Sequence, residues 1–369
     1  MSDIADLSKG IGISKDQLSA DGEPCILYGE LYTKYKSETI KEVISKTNID
    51  NTKLVKSKAN DVIIPCSGET AEEIATARCV LKDDILLGGD LNIIRLHGYD
   101  GSFMSYQLNG KRKYDIAKVA QGVSVVHLYG EHLKNIKTIN PSLNEQKKIA
   151  NLLYLLDERI STQNKIIEDL KKLKSAIIEI EYSSKTKTSS HIGDFIVQTS
   201  KRNKDNAIQT VLSISNRQGF IQQSEQFENR CVASDDTSNY KIVERNDFAF
   251  NPARINVGSI ARLITFEKGI VSPMYICFRT KGCATPEYLD YFFESKLFFT
   301  EIQKRLEGSV RQCLSYEGLC NIPLPLFSIA VQHKIGKQLF KLTQKIKLET
   351  DFLEILHKQK QYLLRQMFI

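Results

Sequence analysis

Residues 142–156 read SLNEQKKIANLLYLL, and residues 328–342 read SIAVQHKIGKQLFKL. Ser, Gln, Lys, Ile and Leu recur at matched places with no gap, 186 positions apart in a chain of 369 residues. The likeness runs on well past these stretches. Stepping alternately four and three residues, the first copy gives Ile149, Leu153, Leu156, Ile160, Gln163, Ile167, Leu170, Lys174 and Ile177. The second gives Ile335, Leu339, Leu342, Ile346, Glu349, Leu353, Leu356, Lys360 and Leu363. Both copies are aliphatic except at the same two places, 163/349 and 174/360.

A four-three alternation of apolar residues is the seam of a coiled coil. Each copy predicts a helix of about 38 residues, about 57 Å long at 1.5 Å per residue. Ser142 with Glu145 three places on is a capping box that marks the first start, and Pro141 agrees with it. The second copy keeps Ser328 but has Val331 in place of the Glu, so its cap is expected to be weaker. Two such helices in one chain pack most economically on each other. The polar pairs Gln163/Glu349 and Lys174/Lys360 are then expected to meet and fix register.

The same offset governs the segments before the helices. KANDVII at 58–64 matches ERNDFAF at 244–250, and Gly122, Leu128, Leu133 and Ile136 match Gly308, Leu314, Leu319 and Ile322. Each repeat is thus a globular part of mixed α and β character followed by one long helix. Strands are expected at VIIPC, ARCVL, DILLGG and LNIIRL in the first part, with a turn at 98–101. In the second they are expected at TVLSIS, DFAFNP, SIARLITF and PMYICFRT. One helix is expected over 285–306, capped by Thr285 with Pro286 in its first turn. SSKTKTSS at 183–190 reads as a linker. The fold class is therefore α+β, in four sections: 1–141, helix 142–182, 183–327 and helix 328–369.

Composition narrows the function. Hydrophobic residues make up 41% and charged residues 26%, as in a globular protein with a real core. The net charge of +7 is compatible with a polyanionic partner without requiring one. The eight cysteines form no C-x-x-C pair and read as reduced residues of a cytoplasmic protein, with no metal site. No apolar run approaches the ~18–20 residues of a membrane span, and the N-terminus has no secretory signal pattern. There is no phosphate-loop, dinucleotide or zinc-protease motif. NPAR at 251–254 falls short of an adenine-methylating tetrapeptide, and EQK at 145–147 has nuclease-like spacing but belongs to a helix cap. No catalytic residue is assigned.

The helix signature PSLNEQKKIANLLYLLDERI at 141–160, continued by IIEDLKKLK at 166–174, resembles the specificity subunits of type I restriction–modification enzymes. LKNIKTINPSL at 133–143, LCNIPLPLFSI at 319–329 and NPARINVGSI at 251–260 fit the same family. The resemblance implies that 1–141 and 183–327 hold target recognition domains, each reading half of a bipartite double-stranded DNA site. The helices would be conserved spacers that set the half-site gap and dock two copies of the modification (methyltransferase) subunit, which restriction (motor–endonuclease) subunits join. S-adenosylmethionine, ATP and Mg would belong to those partners, with no cofactor on this chain. The alternatives are a complete nuclease or DNA-modifying enzyme, or a coiled-coil scaffold that binds only protein.

Phosphate contacts need Lys and Arg, and base readout uses Arg, Asn, Gln, Ser and Thr on loops. The candidates in the first part are Lys34, Tyr35, Lys36, Ser67, Thr70, Lys111, Arg112 and Lys113. In the second they are Lys201, Arg202, Asn216, Arg217, Arg254, Asn256, Arg311 and Gln312. Arg254 and Arg311 rank first, because their segments match the family.

Overall fold

The computed structural model describes residues 1–122, 125–183, 190–216, 218–223, 236–308 and 312–368. Most of the expected linker, at 184–189, lies outside them. Two helices dominate, Leu143–Glu181 and Ile329–Gln366. The Ser142–Glu145 box closes the first start: the Glu145 side chain accepts from Ser142 N–H at 3.1 Å, and Ser142 Oγ accepts from Glu145 N–H at 3.4 Å. The chain divides into two compact units, one of Met1–Ile166 with Glu349–Ile369, the other of Ile167–Leu348. Each long helix is thus shared between the units, and each unit holds one globular part and a portion of both helices.

In the first unit the helix portions run antiparallel. Leu153 clusters with Leu364 and Phe368, Asp157 meets Lys360, and Gln163 Nε2 donates to Glu349 O at 3.0 Å and to its carboxylate. Rising numbers on one helix face falling numbers on the other. Leu156, Ile160 and Leu356, with Phe352, Leu353 and Leu363, fill the seam between them. In the second unit Ile177, Ile178, Ile335 and Leu339 join an aromatic core that includes Tyr182, Tyr288, Phe292 and Phe298. All fourteen aliphatic seam residues are buried or half-buried, Ile167, Leu170, Leu342 and Ile346 included.

The globular part of the first unit has two five-stranded sheets. One runs, in spatial order, Ala5–Lys9, Leu91–Leu96, Asp61–Pro65, Arg78–Val80, Thr39–Ile40. The other runs Leu18–Ser19, Ser45–Thr47, Glu23–Ile26, Leu86–Leu87, Val55–Lys56. The second unit has two four-stranded sheets, Ile196–Thr199, Ile276–Thr280, Phe248–Phe250, Ile260–Arg262 and Gly219–Gln222, Val211–Ser215, Lys268–Val271, Lys241–Glu244. Four strands of each sheet keep the same order in both units, including the parallel pairs Glu23–Ile26 with Leu86–Leu87 and Val211–Ser215 with Lys268–Val271.

The repeat reaches single hydrogen bonds. Asp61 and Asp247 each pair with an arginine, Arg95 at 2.7 Å and Arg279 at 2.9 Å. Asn60 and Asn246, just before them, both have positive φ, 83° and 71°, a backbone form that asparagine tolerates better than most residues. Gly122 and Gly308 do the same at φ 129° and 104°, ahead of the matched bridges Gln121–His127 and Glu307–Cys313. Leu128 N–H donates to Cys66 O, and Leu314 N–H to Pro252 O, 186 residues on at both ends.

Two expectations change. The segment 285–306 is two helices, Pro286–Phe292 and Lys296–Gln303, because Ser295 caps the second by accepting from Phe298 N–H at 3.2 Å. Thr285 caps the first at 3.3 Å, with Pro286 following it. And Lys174 and Lys360 pair with carboxylates of their own units rather than with each other. Lys174 binds Glu294 at 2.7 Å; Lys360 binds both Glu38 and Asp157 at 2.6 Å. Two like charges have nothing to gain by meeting, and a cation half-buried in a seam needs an anion.

Candidate nucleic-acid interface

The NPAR segment follows the central strand Phe248–Phe250. Asn251 is buried, its carbonyl accepts from Arg254 N–H, and Arg254 and Asn256 are left exposed on a one-turn helix that Gly258 ends at φ 89°. Gln312, also exposed, precedes the Cys313–Leu314 segment that bonds back to Pro252 and Glu307. These three side chains share one loop edge of the second unit. Arg311 and Arg217 lie outside the described residues.

A hollow of about 680 Å³ opens elsewhere in this unit, lined by Ser200, Lys201, Arg202, Lys204, Asp205 and Lys268 among others. Four cations and one carboxylate line it. Arg202 is held by Asn239 Oδ1 at 2.8 Å, and Lys268 lies 3.7 Å from Glu244. Lys201 and Arg202 were expected from the sequence. Lys204 and Lys268 were not: they lie 64 positions apart, and the strand Lys241–Glu244 links their segments, through the Arg202–Lys241 bridge on one side and the Glu244–Lys268 pair on the other. The arrangement suits a chain of phosphates, which asks for several mobile ammonium groups more than for exact geometry. Asn216 is exposed on a second hollow of about 530 Å³ with Lys174 and Arg262.

With this geometry in view, the comparisons are specific. The family model of the type I restriction modification DNA specificity domain matches residues 1–172. The chain is also 29% identical over 177 residues to the specificity subunit of the type I restriction enzyme MjaVIII of Methanocaldococcus jannaschii, covering 48% of this chain and 40% of that subunit. The chain therefore aligns with less than half of that relative's length. Among solved structures, the S subunit of a type I restriction–modification system from M. genitalium superposes with a TM-score of 0.64 at 17% identity, over 100% of this chain and 94% of that one. A second, from work on complex assembly and conformational transition of a type I R-M system, gives 0.56 at 12% identity, over 98% and 95%. These two share the fold, and their coverage takes in the second unit as well.

Within residues 1–172 the expected DNA contacts are placed very differently from one another. Tyr35 is buried; its hydroxyl accepts from Ile44 N–H at 3.3 Å, and burial pushes the phenol up to about 12. Ser67 is buried in a short strand beside Val126–His127. Lys34 is tied to buried Glu30 at 2.6 Å and to Ser45 at 2.8 Å, so its charge already has a partner. Arg112 is half-buried and reaches Asp115 at 3.4 Å, and burial lowers the Lys113 ammonium below its usual range. Thr70 is exposed but caps the helix Ala71–Ile74. Lys36 and Lys111 remain exposed. Sequence composition flagged these residues; only packing separates a lysine that folds the domain from one that is free to leave it.

Burial also governs the titratable groups that the sequence offered for chemistry. Burial pushes the thiols of Cys25 and Cys66 up to about 11 and those of Cys79 and Cys277 up to about 12, far from thiolate chemistry. Cys231 lies outside the described residues. Glu145 is held below its usual range by Ser142, as a helix cap and not as a base. Among the described residues no three His, Cys, Asp or Glu side chains gather where a metal ion could bind, and no helix is long and apolar enough to cross a membrane.

Proposed function

We propose that this chain is the DNA-recognition subunit of a type I restriction–modification complex, each globular part reading one half of a bipartite duplex target. The observation that carries the reading is the repeat of one strand order, with matched turn bonds, in two units of a chain whose first 172 residues match the DNA specificity domain. A split target needs two similar surfaces that differ in their exposed residues. In the second unit the phosphates fall to Lys201, Arg202, Lys204 and Lys268. Base contacts fall to the loop of Arg254, Asn256 and Gln312.

The long helices set the half-site gap and dock two methyltransferase subunits, and the restriction subunits join that assembly. Leu152, Leu155, Ile355 and Tyr362 on the helix portions of the first unit are about half exposed or more, as are Phe340 and Leu348 on the second. Such side chains on a helix that already has its core face covered suit a protein partner. S-adenosylmethionine, ATP and Mg belong to the partners; this chain does no chemistry and works in the cytoplasm.

Methylation-aware sequencing of host DNA with and without the gene tests this. Adenine methylation should vanish at one bipartite motif. Unchanged methylation everywhere, or nuclease or methylating activity of the purified chain alone, would overturn the reading in favour of a complete enzyme.

A further inference from the structure

The two units share a fold but not the chemistry of the edge that carries Arg254. The matched bridges and the bonds to Cys66 and Pro252 put Ser67–Thr70 and Val125–His132 of the first unit where the second has Ala253–Asn256 and Gln312 onward. Gly68 stands at the place of Arg254, so the first unit has no cation there. What it exposes instead is aromatic. The His127 ring stacks on Tyr129 at 6.1 Å and 20°, and His132 meets Tyr129 edge-on at 5.6 Å. Lys9 Nζ sits 5.4 Å from the Tyr129 ring centre, on the edge strand Ala5–Lys9. Tyr129 is 45% exposed, although its ring is already stacked on one side.

Two buried polar atoms lie beside the same place. Asn92 is 1% exposed, and its Nδ2 donates to Leu128 O at 2.9 Å, but its Oδ1 has no hydrogen-bond partner among the described residues. That oxygen lies 3.8 Å from where a Cβ on Gly130 would stand, next to Tyr129. His132 Nδ1 is likewise buried without a partner among the described residues. Buried polar atoms without partners are uncommon and costly in a folded chain. Two of them flank one exposed aromatic cluster.

We infer that His127, Tyr129 and His132, with Lys9, are the specificity-determining surface of the first unit, and that it reads double-stranded DNA by ring and imidazole contacts where the second unit uses arginine. The inference rests on the DNA-recognition reading above and adds to it. An arginine prefers guanine's paired acceptors, whereas an aromatic edge prefers a thymine methyl or a widened base step. The two half-sites should therefore differ in sequence.

The test is selection from a randomised pool of 40-base-pair duplexes by the full chain, together with the subunits that co-purify with it. Wild type should enrich a motif with two separated, unlike half-sites. His127→Ala with Tyr129→Ala should lose enrichment of one half-site by about tenfold, the scale of one lost base-pair contact, and keep the other. Arg254→Ala should do the reverse. Normal selection by the double variant overturns the inference and leaves the reading standing. Loss of both half-sites from a chain that melts as wild type does also overturns it. A wild-type chain that enriches nothing overturns both.

Discussion

Lys360 sits between two carboxylates, and the three charges are mostly out of water. The side chains of Lys360, Glu38 and Asp157 are 13%, 7% and 7% exposed. Tyr106 and Ser37 donate to Asp157 at 2.8 and 3.0 Å. Burial pushes the Glu38 carboxyl above its usual range, against the pull of Lys360. Its counterpart Lys174 faces one carboxylate, Glu294, that is 47% exposed. The two substitutions should therefore differ sharply. Lys360→Met leaves two buried carboxylates without a cation and is expected to cost about 3–5 kcal/mol, read by chemical denaturation. Lys174→Met should cost no more than about 1 kcal/mol. Equal losses would mean that Glu38 and Asp157 find another partner, such as Arg78, whose charge already acts on both. Asp290 gives a pH-dependent case. Burial, helped by Glu294 and Glu287 and opposed by Arg262 and Lys174, raises it from 3.8 to about 6. The folded state then holds this proton more tightly than the unfolded chain. Stability from this group is full below pH 3.8, falls as pH rises toward 6, and stays low above. Asp290→Asn should flatten the pH 4–6 segment of a stability profile; an unchanged slope would show that Asp290 ionises normally in the fold.

At the scale of elements, the helix signature was plain in the sequence, but the reason for its glutamine was not. Gln146 and Gln332 are almost wholly buried. Gln146 accepts from Asp100 N–H at 2.9 Å and donates to Pro141 O at 2.8 Å. Gln332 accepts from Thr285 N–H at 2.9 Å and donates to Phe327 O and Cys283 O, each at 2.8 Å. Each glutamine thus ties the start of a long helix to the start of a shorter one in the globular part. Period reading shows that position 332 faces inward; it does not show that backbone groups 47 residues away wait for it. Gln332→Leu keeps the volume and strands one N–H and two carbonyls, so it should cost about 3 kcal/mol or more, as a lowered denaturation midpoint with the slope unchanged. A neutral result would mean that the three backbone groups are satisfied without it. The helix expected over 285–306 misled for the related reason that its apolar period continues unbroken through Ser295. Only the cap on Phe298 N–H, a contact of one side chain, breaks it in two.

At the scale of the whole molecule, the repeat made the architecture legible, because one offset aligned helices, turns and strands together. The interface was far less legible. A charge count cannot tell Lys34, held by Glu30, from Lys201, which lines an open hollow. Nor can it join Lys204 to Lys268, since that neighbourhood is made by strand order alone. The cationic hollow carries the last prediction. If its side chains grip phosphates, each releases about one counterion on binding, and log affinity falls with log salt in proportion to their number. Replacing Lys201, Lys204 and Lys268 together with Gln should weaken binding to every duplex alike and lower the magnitude of the salt slope by about 3. The preferred sequence should not change, because no base edge is read there. Titration of the complex against a target duplex and a scrambled one, at four salt concentrations, checks both halves. A slope unchanged from wild type would take the hollow out of the DNA path, whereas a changed motif would make these lysines readers of bases.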